Sequence, residues 1–184
     1  MPASSGGKRR LTDGEVALAR SVFGTAIDYE RVTIRRRKFF PLQPRHVTMA
    51  PRGHLHFHPL AEAYSDDFST LSPLRQGLFI HEMTHVWQYY HGYWVVLRSA
   101  WANSKLGAGY GYTLQASDAW DDFNVEQQAS LVEHWFSGGM STTDDRFVFI
   151  EKIIRAGISG GFWASMLDTM VMKLPLSDLR RWNI

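Results

Sequence analysis

The most constraining feature of this sequence is LFIHEMTHVWQ, residues 78–88, in which two histidines and a glutamate interrupt an apolar run. A Ser-Pro pair at 72–73 is typical of a helix start, and apolar residues then recur at helical spacing as far as Tyr90. His81 and His85 are four residues apart, so on a helix both imidazoles lie on one face. Burying polar groups in an apolar helix is costly unless a partner offsets the cost. A divalent metal is the partner that we expect.

The pattern H-E-x-x-H also separates a base from the ligands. Glu82 is rotated by about 100° from His81 on a helix, so it points away from the shared metal position and toward a water in an open coordination position. The sequence contains no cysteine, so the ligands must be His, Asp or Glu, a set that favours Zn²⁺. We therefore predict His81 and His85 as metal ligands and Glu82 as the general base of a hydrolase.

A catalytic zinc site usually has a third protein ligand, and the sequence offers several candidates. Glu126 is one of them, because it begins a second predicted helix with Asn124 at the N-cap and Gln127 at the third helical position. A helix packed across the first would present this carboxylate to the metal. The alternatives are acidic residues nearby: Glu133, Asp118, Asp121 and Asp122.

His91 is another alternative, because it follows His85 at the spacing found in metzincins. Metzincins have a glycine where this chain has Gln88, and without that turn the helix continues. On a straight helix His91 then points roughly 80° away from His81. We expect His91 to be a cation at the helix C-terminus instead.

Two further segments supply candidate site residues. His54, His56 and His58 alternate along a predicted strand, so their side chains face one way. We expect this strand to lie at the sheet edge beside the H-E-x-x-H helix and to bind an extended peptide, with a second metal site as the alternative. Tyr112 lies in a Gly-rich stretch before Glu126, and we expect it to stabilise an oxyanion, with simple packing as the alternative.

The chain of 184 residues is long enough to bury one sizeable core. We predict a flexible tail over residues 1–10 and a single domain over 11–184 with an α+β fold, mostly helical with a small sheet packed on the H-E-x-x-H helix. Apart from that helix, we expect helices over 13–24, 94–105, 124–136, 144–156 and 160–173, and strands over 29–37, 54–59 and a short stretch near 47–49.

The net charge is only +2, but a basic run covers residues 35–38. We expect it to be a solvated face, and since no nucleic-acid motif accompanies it we expect no nucleic-acid partner. No apolar run is long enough for a membrane span. The N-terminus lacks the apolar stretch of a Sec signal peptide, so we expect a protein that is cytoplasmic as synthesised.

Two longer segments resemble a known family. FIHEMTHVWQ, followed further along by FNVEQQASLVEHWF, is similar to small bacterial zincin-like proteins that are labelled Vgr-related or Rhs-related and associated with type VI secretion. The order of VFGTAIDYERVTI and RGHLHFHP before the H-E-x-x-H helix also resembles the metallopeptidase domain of extracellular contractile injection systems. The resemblance covers about residues 16–136.

The resemblance implies a zincin-like fold with a gluzincin-type site, in which His81, His85 and Glu126 bind Zn²⁺ and Glu82 is the base. It implies a metallopeptidase linked to a bacterial contractile secretion system, as an effector exported by it or as a processing enzyme. Two alternatives stay open. One is a non-catalytic, metal-stabilised module that binds a protein of the secretion apparatus. The other is an amidase or endopeptidase acting on peptidoglycan cross-links.

Overall fold

The computed structural model describes residues 7–93, 95, 110–115 and 117–138, and single positions at 148, 151, 152, 154, 155 and 158. These residues form helices α1 (Asp13–Phe23), α2 (Pro73–Tyr90) and α3 (Val125–Phe136), and strands β1 (Lys8–Arg10), β2 (Thr33–Arg35) and β3 (Leu55–His56). Short 3-10 turns occupy Tyr29–Arg31, Phe68–Thr70 and Trp120–Asp122. The predicted α+β class is confirmed in this coarse form, a mostly helical chain with a small sheet.

Each of the three helices begins within one residue of its predicted start. At α1 the Thr12 hydroxyl accepts from the Glu15 amide at 3.1 Å, and the Glu15 carboxylate accepts from the Thr12 amide at 2.9 Å. This reciprocal pair satisfies two amides that a helix start leaves unpaired. At α3 the Asn124 side chain accepts from the amides of Glu126 and Gln127. The predicted N-cap at Asn124 is confirmed, and α1 begins at Asp13, as predicted for the helix over 13–24.

Helix α2 is the centre of the core. Its buried apolar side chains pack inward with the rest of the core, while its polar residues His81, His85 and Gln88 are also buried. They face α3, which packs against α2. Gly77 makes this approach close, because a Cβ there would lie 3.0 Å from the Cβ of Ser137. A larger residue would push α3 away from the histidines.

The sheet has the order β1-β2-β3, with β1 and β2 antiparallel and β2 and β3 parallel. Ile34 pairs with Leu55, and both side chains are fully buried against the core. The neighbouring row pairs Lys8 with Arg35 and Arg35 with His56, so these three side chains share the other face.

The prediction of a flexible tail over residues 1–10 is wrong for Lys8–Arg10, which form β1. This segment pairs with β2, and the Arg9 guanidinium donates to both carboxylate oxygens of Glu15, at 2.7 and 2.8 Å. The Glu15 side chain is buried, and a bidentate pair of this kind fixes orientation as well as position. Residues 1–6 lie outside the described part.

The predicted strand over 29–37 is shorter in the structure, where Tyr29–Arg31 form a 3-10 turn before β2. Tyr29 is buried and its hydroxyl donates to the carbonyl of Gly24 at 2.9 Å, which ties the turn to the end of α1. The predicted helices over 94–105, 144–156 and 160–173 lie wholly or largely outside the described residues. Among the helices that the structure describes, none combines the length and hydropathy of a membrane span.

Candidate metal centre

Three side chains converge at the junction of α2 and α3. The Oε2 atom of Glu126 lies 3.4 Å from His85 Nε2 and 3.7 Å from His81 Nε2. In a tetrahedral zinc site with bonds of about 2.0–2.1 Å, neighbouring ligand atoms are about 3.3 Å apart. The observed spacings therefore fit one ion with only small shifts. Within the described part of the chain, His81, His85 and Glu126 are the group of potential ligands whose ligand atoms lie close enough together to bind one metal ion.

The ring orientation of His85 is fixed by a chain of amides behind it. Its Nδ1 lies 2.8 Å from the Oε1 atom of Gln88. The Gln88 amide nitrogen donates to the Val125 carbonyl and to Gln128 Oε1, so its oxygen must face the histidine. Gln128 in turn donates to the carbonyls of Trp120 and Phe123. His85 therefore carries its proton on Nδ1 and directs the Nε2 lone pair toward Glu126.

His81 is held in the same way by an acid. Its Nδ1 lies 2.9 Å from Glu133 Oε2. Burial lowers the pKa of His81, but its hydrogen bonds to Glu126 and Glu133 outweigh that effect and raise the pKa to about 10. Glu133 was an alternative third ligand in the sequence. The structure places it behind His81 as the group that orients the ring, as outer carboxylates do at many metal sites.

Glu82 lies beside this group and lines the space in front of it. Its Oε2 atom is inaccessible to solvent and has no hydrogen-bond partner among the described residues. Burial raises the pKa of Glu82; the carboxylates of Glu126 and Glu133 add to the rise, while His81 and His85 oppose it. A carboxyl group whose pKa is raised toward neutrality is suited to accepting and returning a proton.

Two cavities open in front of the metal group. The larger, about 860 Å³, extends over aromatic side chains including Phe57, Phe68 and Phe79 and ends near Arg75. The smaller, about 510 Å³, extends toward Phe39, Phe40 and Ala50. Both cavities are lined by the same five residues: Val47, Thr48, His81, Glu82 and Tyr110. Together they form a cleft, called here the metal cleft, with the metal group at its middle.

β3 lies at the edge of the three-stranded sheet, as predicted for the strand over 54–59, but an isolated bridge covers its outer side. His56 pairs through its backbone amide and carbonyl with Met49, at 2.7 and 3.1 Å, so the segment 47–50 lies outside β3. The three histidines do not meet: His54 Nδ1 lies 3.1 Å from the Thr33 hydroxyl, and His58 Nδ1 accepts from the Leu60 amide. None of the three lines either cavity of the metal cleft.

The remaining sequence candidates lie near the site without joining the metal group. The Tyr112 hydroxyl is 2.7 Å from His134 Nδ1, and it is His134, not Tyr112, that lines the metal cleft. His91 ends α2, where its Nδ1 donates to the Trp87 carbonyl at 2.8 Å. The acidic alternatives before α3 are Asp118, Asp121 and Asp122, and none of them belongs to the metal group. Asp118 accepts a hydrogen bond from the Gln115 amide, and Asp122 accepts one from the Ala119 amide.

Several residues of the site were not predicted. Gln88 had a detectable signal, since it follows His85 on the same helical stripe. Gln128 and His134 had none, because their positions depend on how α3 crosses α2. Tyr110 lies two residues before the predicted Tyr112, with its ring 6.1 Å from that of His81.

No known family model matches the chain. It is 39% identical over 156 residues, 81% of its length, to the type VI secretion system spike protein VgrG2b of Pseudomonas aeruginosa. The matched region spans 15% of that protein's length. The solved structure of the effector domain of P. aeruginosa VgrG2b is 36% identical, with a TM-score of 0.68 and 87% of each chain covered. The chain therefore belongs to the Vgr-related family of type VI secretion proteins that contains the VgrG2b effector domain.

Proposed function

We propose that this chain is a zinc-dependent peptidase that acts as an effector of a type VI secretion system. The observation that supports the enzymatic part is the convergence of two Nε2 atoms and one carboxylate oxygen beside Glu82, whose Oε2 atom has no hydrogen-bond partner among the described residues. The secretion part rests on the relatives, which are a spike protein and its effector domain. By this proposal a component of the secretion apparatus is the partner.

In this proposal His81, His85 and Glu126 hold the metal. The chemistry that a zinc ion held there would supply is polarisation of a substrate carbonyl and a lower pKa for a water molecule. Glu82 accepts a proton from the attacking water and returns it to the leaving amine. Only three described residues reach the metal position, which leaves room for water and substrate, as catalytic sites require and closed structural sites do not.

The segment 47–50 would orient the substrate. Because Met49 uses its backbone amide and carbonyl on His56, the alternation of an extended chain directs those of Thr48 toward the other side. Thr48 lines both cavities. An extended peptide can therefore pair with this edge and cross the metal position. This is the role that the sequence assigned to the strand at 54–58.

His134 and Tyr110 would stabilise the negative charge that develops on the carbonyl oxygen. With Tyr112 donating to Nδ1, His134 keeps its own proton on Nε2 and offers it to the cleft. Tyr112 is then a positioning residue. The aromatic wall of the larger cavity favours a bulky apolar side chain next to the cleaved bond.

The experiment is cleavage of a denatured protein, and separately of purified peptidoglycan, by the zinc-reconstituted chain, with products identified by mass spectrometry. Glu82→Gln is the test variant, and Glu30→Gln is the matched control, because Glu30 is an exposed acid paired with Arg10. We expect cleavage by wild type and Glu30→Gln, and a loss of about 10²–10⁴-fold in Glu82→Gln, which still binds zinc.

The substrate arms distinguish the alternatives. Products from peptidoglycan alone would assign the cross-link hydrolase. A zinc-loaded wild type that cleaves neither substrate, or a Glu82→Gln variant as active as wild type, would refute the peptidase and favour the metal-stabilised binding module.

A further inference from the structure

A row of basic side chains crosses the small sheet on the face turned away from the core, and two of them, Lys8 and Arg35, carry like charges. In the antiparallel pair, Lys8 stands directly opposite Arg35, and in the parallel pair Arg35 is the neighbour of His56. Like charges at directly opposed positions destabilise a sheet. The repulsion between Lys8 and Arg35 therefore lowers the stability of the sheet, and the packing of the core does not require it.

Arg35 and His56 of this row also line a pocket of about 480 Å³, called here the basic pocket. Its charged and polar walls are Arg35, Arg37, Lys38, Arg52, His54 and His56, and no carboxylate lines it. Within the described part of the chain, none of its four permanent cations forms an ion pair. The side-chain hydrogen bonds that these cations form within the described residues go to neutral groups. Arg35 donates to the Thr33 hydroxyl, and Lys38 donates to the Pro41 carbonyl.

The electrostatics agree with this unbalanced composition. Burial and then the charge of Arg37 lower the pKa of Arg35. Burial, followed by Arg35 and Lys8, lowers the pKa of His54. A nearby carboxylate would act in the opposite direction.

His56 supplies an independent indication of a ligand. Its side chain is buried, at 4% exposure, and its Nδ1 has no hydrogen-bond partner among the described residues. Buried polar atoms are nearly always paired, and an unpaired one is costly. Arg52 lies over the ring of Phe39, which packs edge-on against His56. One lining residue of the pocket thus carries a buried ring nitrogen without a partner in the described part of the chain, next to the guanidinium groups that line the same pocket.

We propose that the basic pocket is a binding site for the phosphate group of a small soluble molecule, held by Arg35, Arg37 and Arg52. The guanidinium fork matches the geometry of phosphate oxygens, and a phosphate carries close to two negative charges, more than one carboxylate could supply against four cations. The concave shape fits a single group better than a polymer lying across a flat surface. Phe39 also lines the smaller cavity of the metal cleft, so the bound molecule lies beside that cleft.

The test is isothermal titration calorimetry with inorganic phosphate and with glycerol 3-phosphate, at low ionic strength. The protein is the full chain carrying Glu126→Ala, which removes the metal group, so the result does not depend on the proposed peptidase. We expect saturable binding of one phosphate per chain. Arg35→Gln and Arg52→Gln should each weaken it about tenfold or more, since each removes charged hydrogen bonds.

Arg31→Gln is the matched control, because it removes the same charge from an exposed arginine already paired with Asp28; it should change affinity less than about twofold. Circular dichroism establishes that each variant is folded. Vesicles of phosphatidylglycerol test the other source of phosphate. Binding to vesicles that free phosphate does not reproduce would overturn the proposal in favour of a lipid surface. Equal weakening by Arg31→Gln, or no phosphate binding at all, would overturn it outright.

Discussion

The α2–α3 junction and the three-stranded sheet both surround buried histidines with charged residues, but they balance those charges differently. At the junction, His81 faces Glu126 and Glu133, and His85 faces an amide chain that fixes its tautomer. In the basic pocket, His56 has arginines around it and an unpaired ring nitrogen. We propose that the first region binds a cation and the second an anion. In both proposals, the charge that the neighbouring side chains leave unbalanced indicates the sign of the ligand's charge.

The largest expected effect is the response of the junction to zinc. At a free zinc concentration about a thousand times the dissociation constant, binding should raise the free energy of unfolding by about 4 kcal/mol. Glu126→Ala should abolish this gain, while Arg35→Gln should keep it. Urea unfolding with and without zinc measures the difference. An equal zinc effect in wild type and Glu126→Ala would separate the metal from this junction.

A smaller effect is expected from the residues behind the ligands. Glu133→Gln keeps the hydrogen-bonding shape but removes the charge that holds His81, so zinc affinity should fall about 10–100-fold. Competition with a fluorescent zinc chelator measures this. The exposed Glu30→Gln provides the reference. If Glu133→Gln lost zinc as completely as Glu126→Ala, Glu133 would be a ligand and not an orienting group.

The basic pocket should make the fold sensitive to acid. Burial and then the charge of Arg35 lower the pKa of His56 to about 4, with Arg37 and His54 adding to the effect and a backbone hydrogen bond at Arg37 opposing it. The unfolded histidine titrates near 6.5, so the stability that neutral His56 provides is fully present above pH 6.5 and is lost as the pH falls toward 4. We expect a loss of roughly 1–3 kcal/mol, measured by urea unfolding at pH 7 and pH 4.5. His56→Gln should lack this component; an identical acid loss in that variant would contradict the assignment.

The smallest expected effect is relief of the like-charge pair. Lys8→Gln should raise the free energy of unfolding by about 0.2–1 kcal/mol at low salt, because it removes repulsion from Arg35. The gain should disappear at about 1 M salt, where the charges are screened. Thermal unfolding at the two salt concentrations measures it. Destabilisation by Lys8→Gln at low salt would contradict this prediction, because it would show that other groups already offset the repulsion between Lys8 and Arg35.

The parts of the structure that were predictable depend on local sequence. The cap at Asn124 and the spacing of His81 and His85 act within one or two helical turns, so they can be identified without knowing the rest of the fold. The predicted trio with Glu126 comes together in the structure, although that requires two helices to cross; the resemblance to a family singled out Glu126 from the other acids.

The parts that could not be predicted depend on distant contacts. Met49 pairs with His56 and so covers the outer side of β3. This pairing follows from a turn that the alternation of side chains does not encode. The same holds for the expected tail, where β1 pairs with β2 and the Arg9 guanidinium donates to the carbonyl of Ser65. Gln128 has its role only because α3 lies against α2. The basic run over 35–38 was expected to be a solvated face. Only the pairing of β1, β2 and β3 shows that Arg35 of this run lies between Lys8 and His56.

The most direct test of the metal assignment is the zinc content of the purified chain after reconstitution and gel filtration, measured by plasma mass spectrometry for wild type, Glu126→Ala and Arg35→Gln. The assignment predicts one zinc per chain in wild type and Arg35→Gln, and none in Glu126→Ala. A wild type that retains no zinc, or a Glu126→Ala variant that retains one, would contradict it.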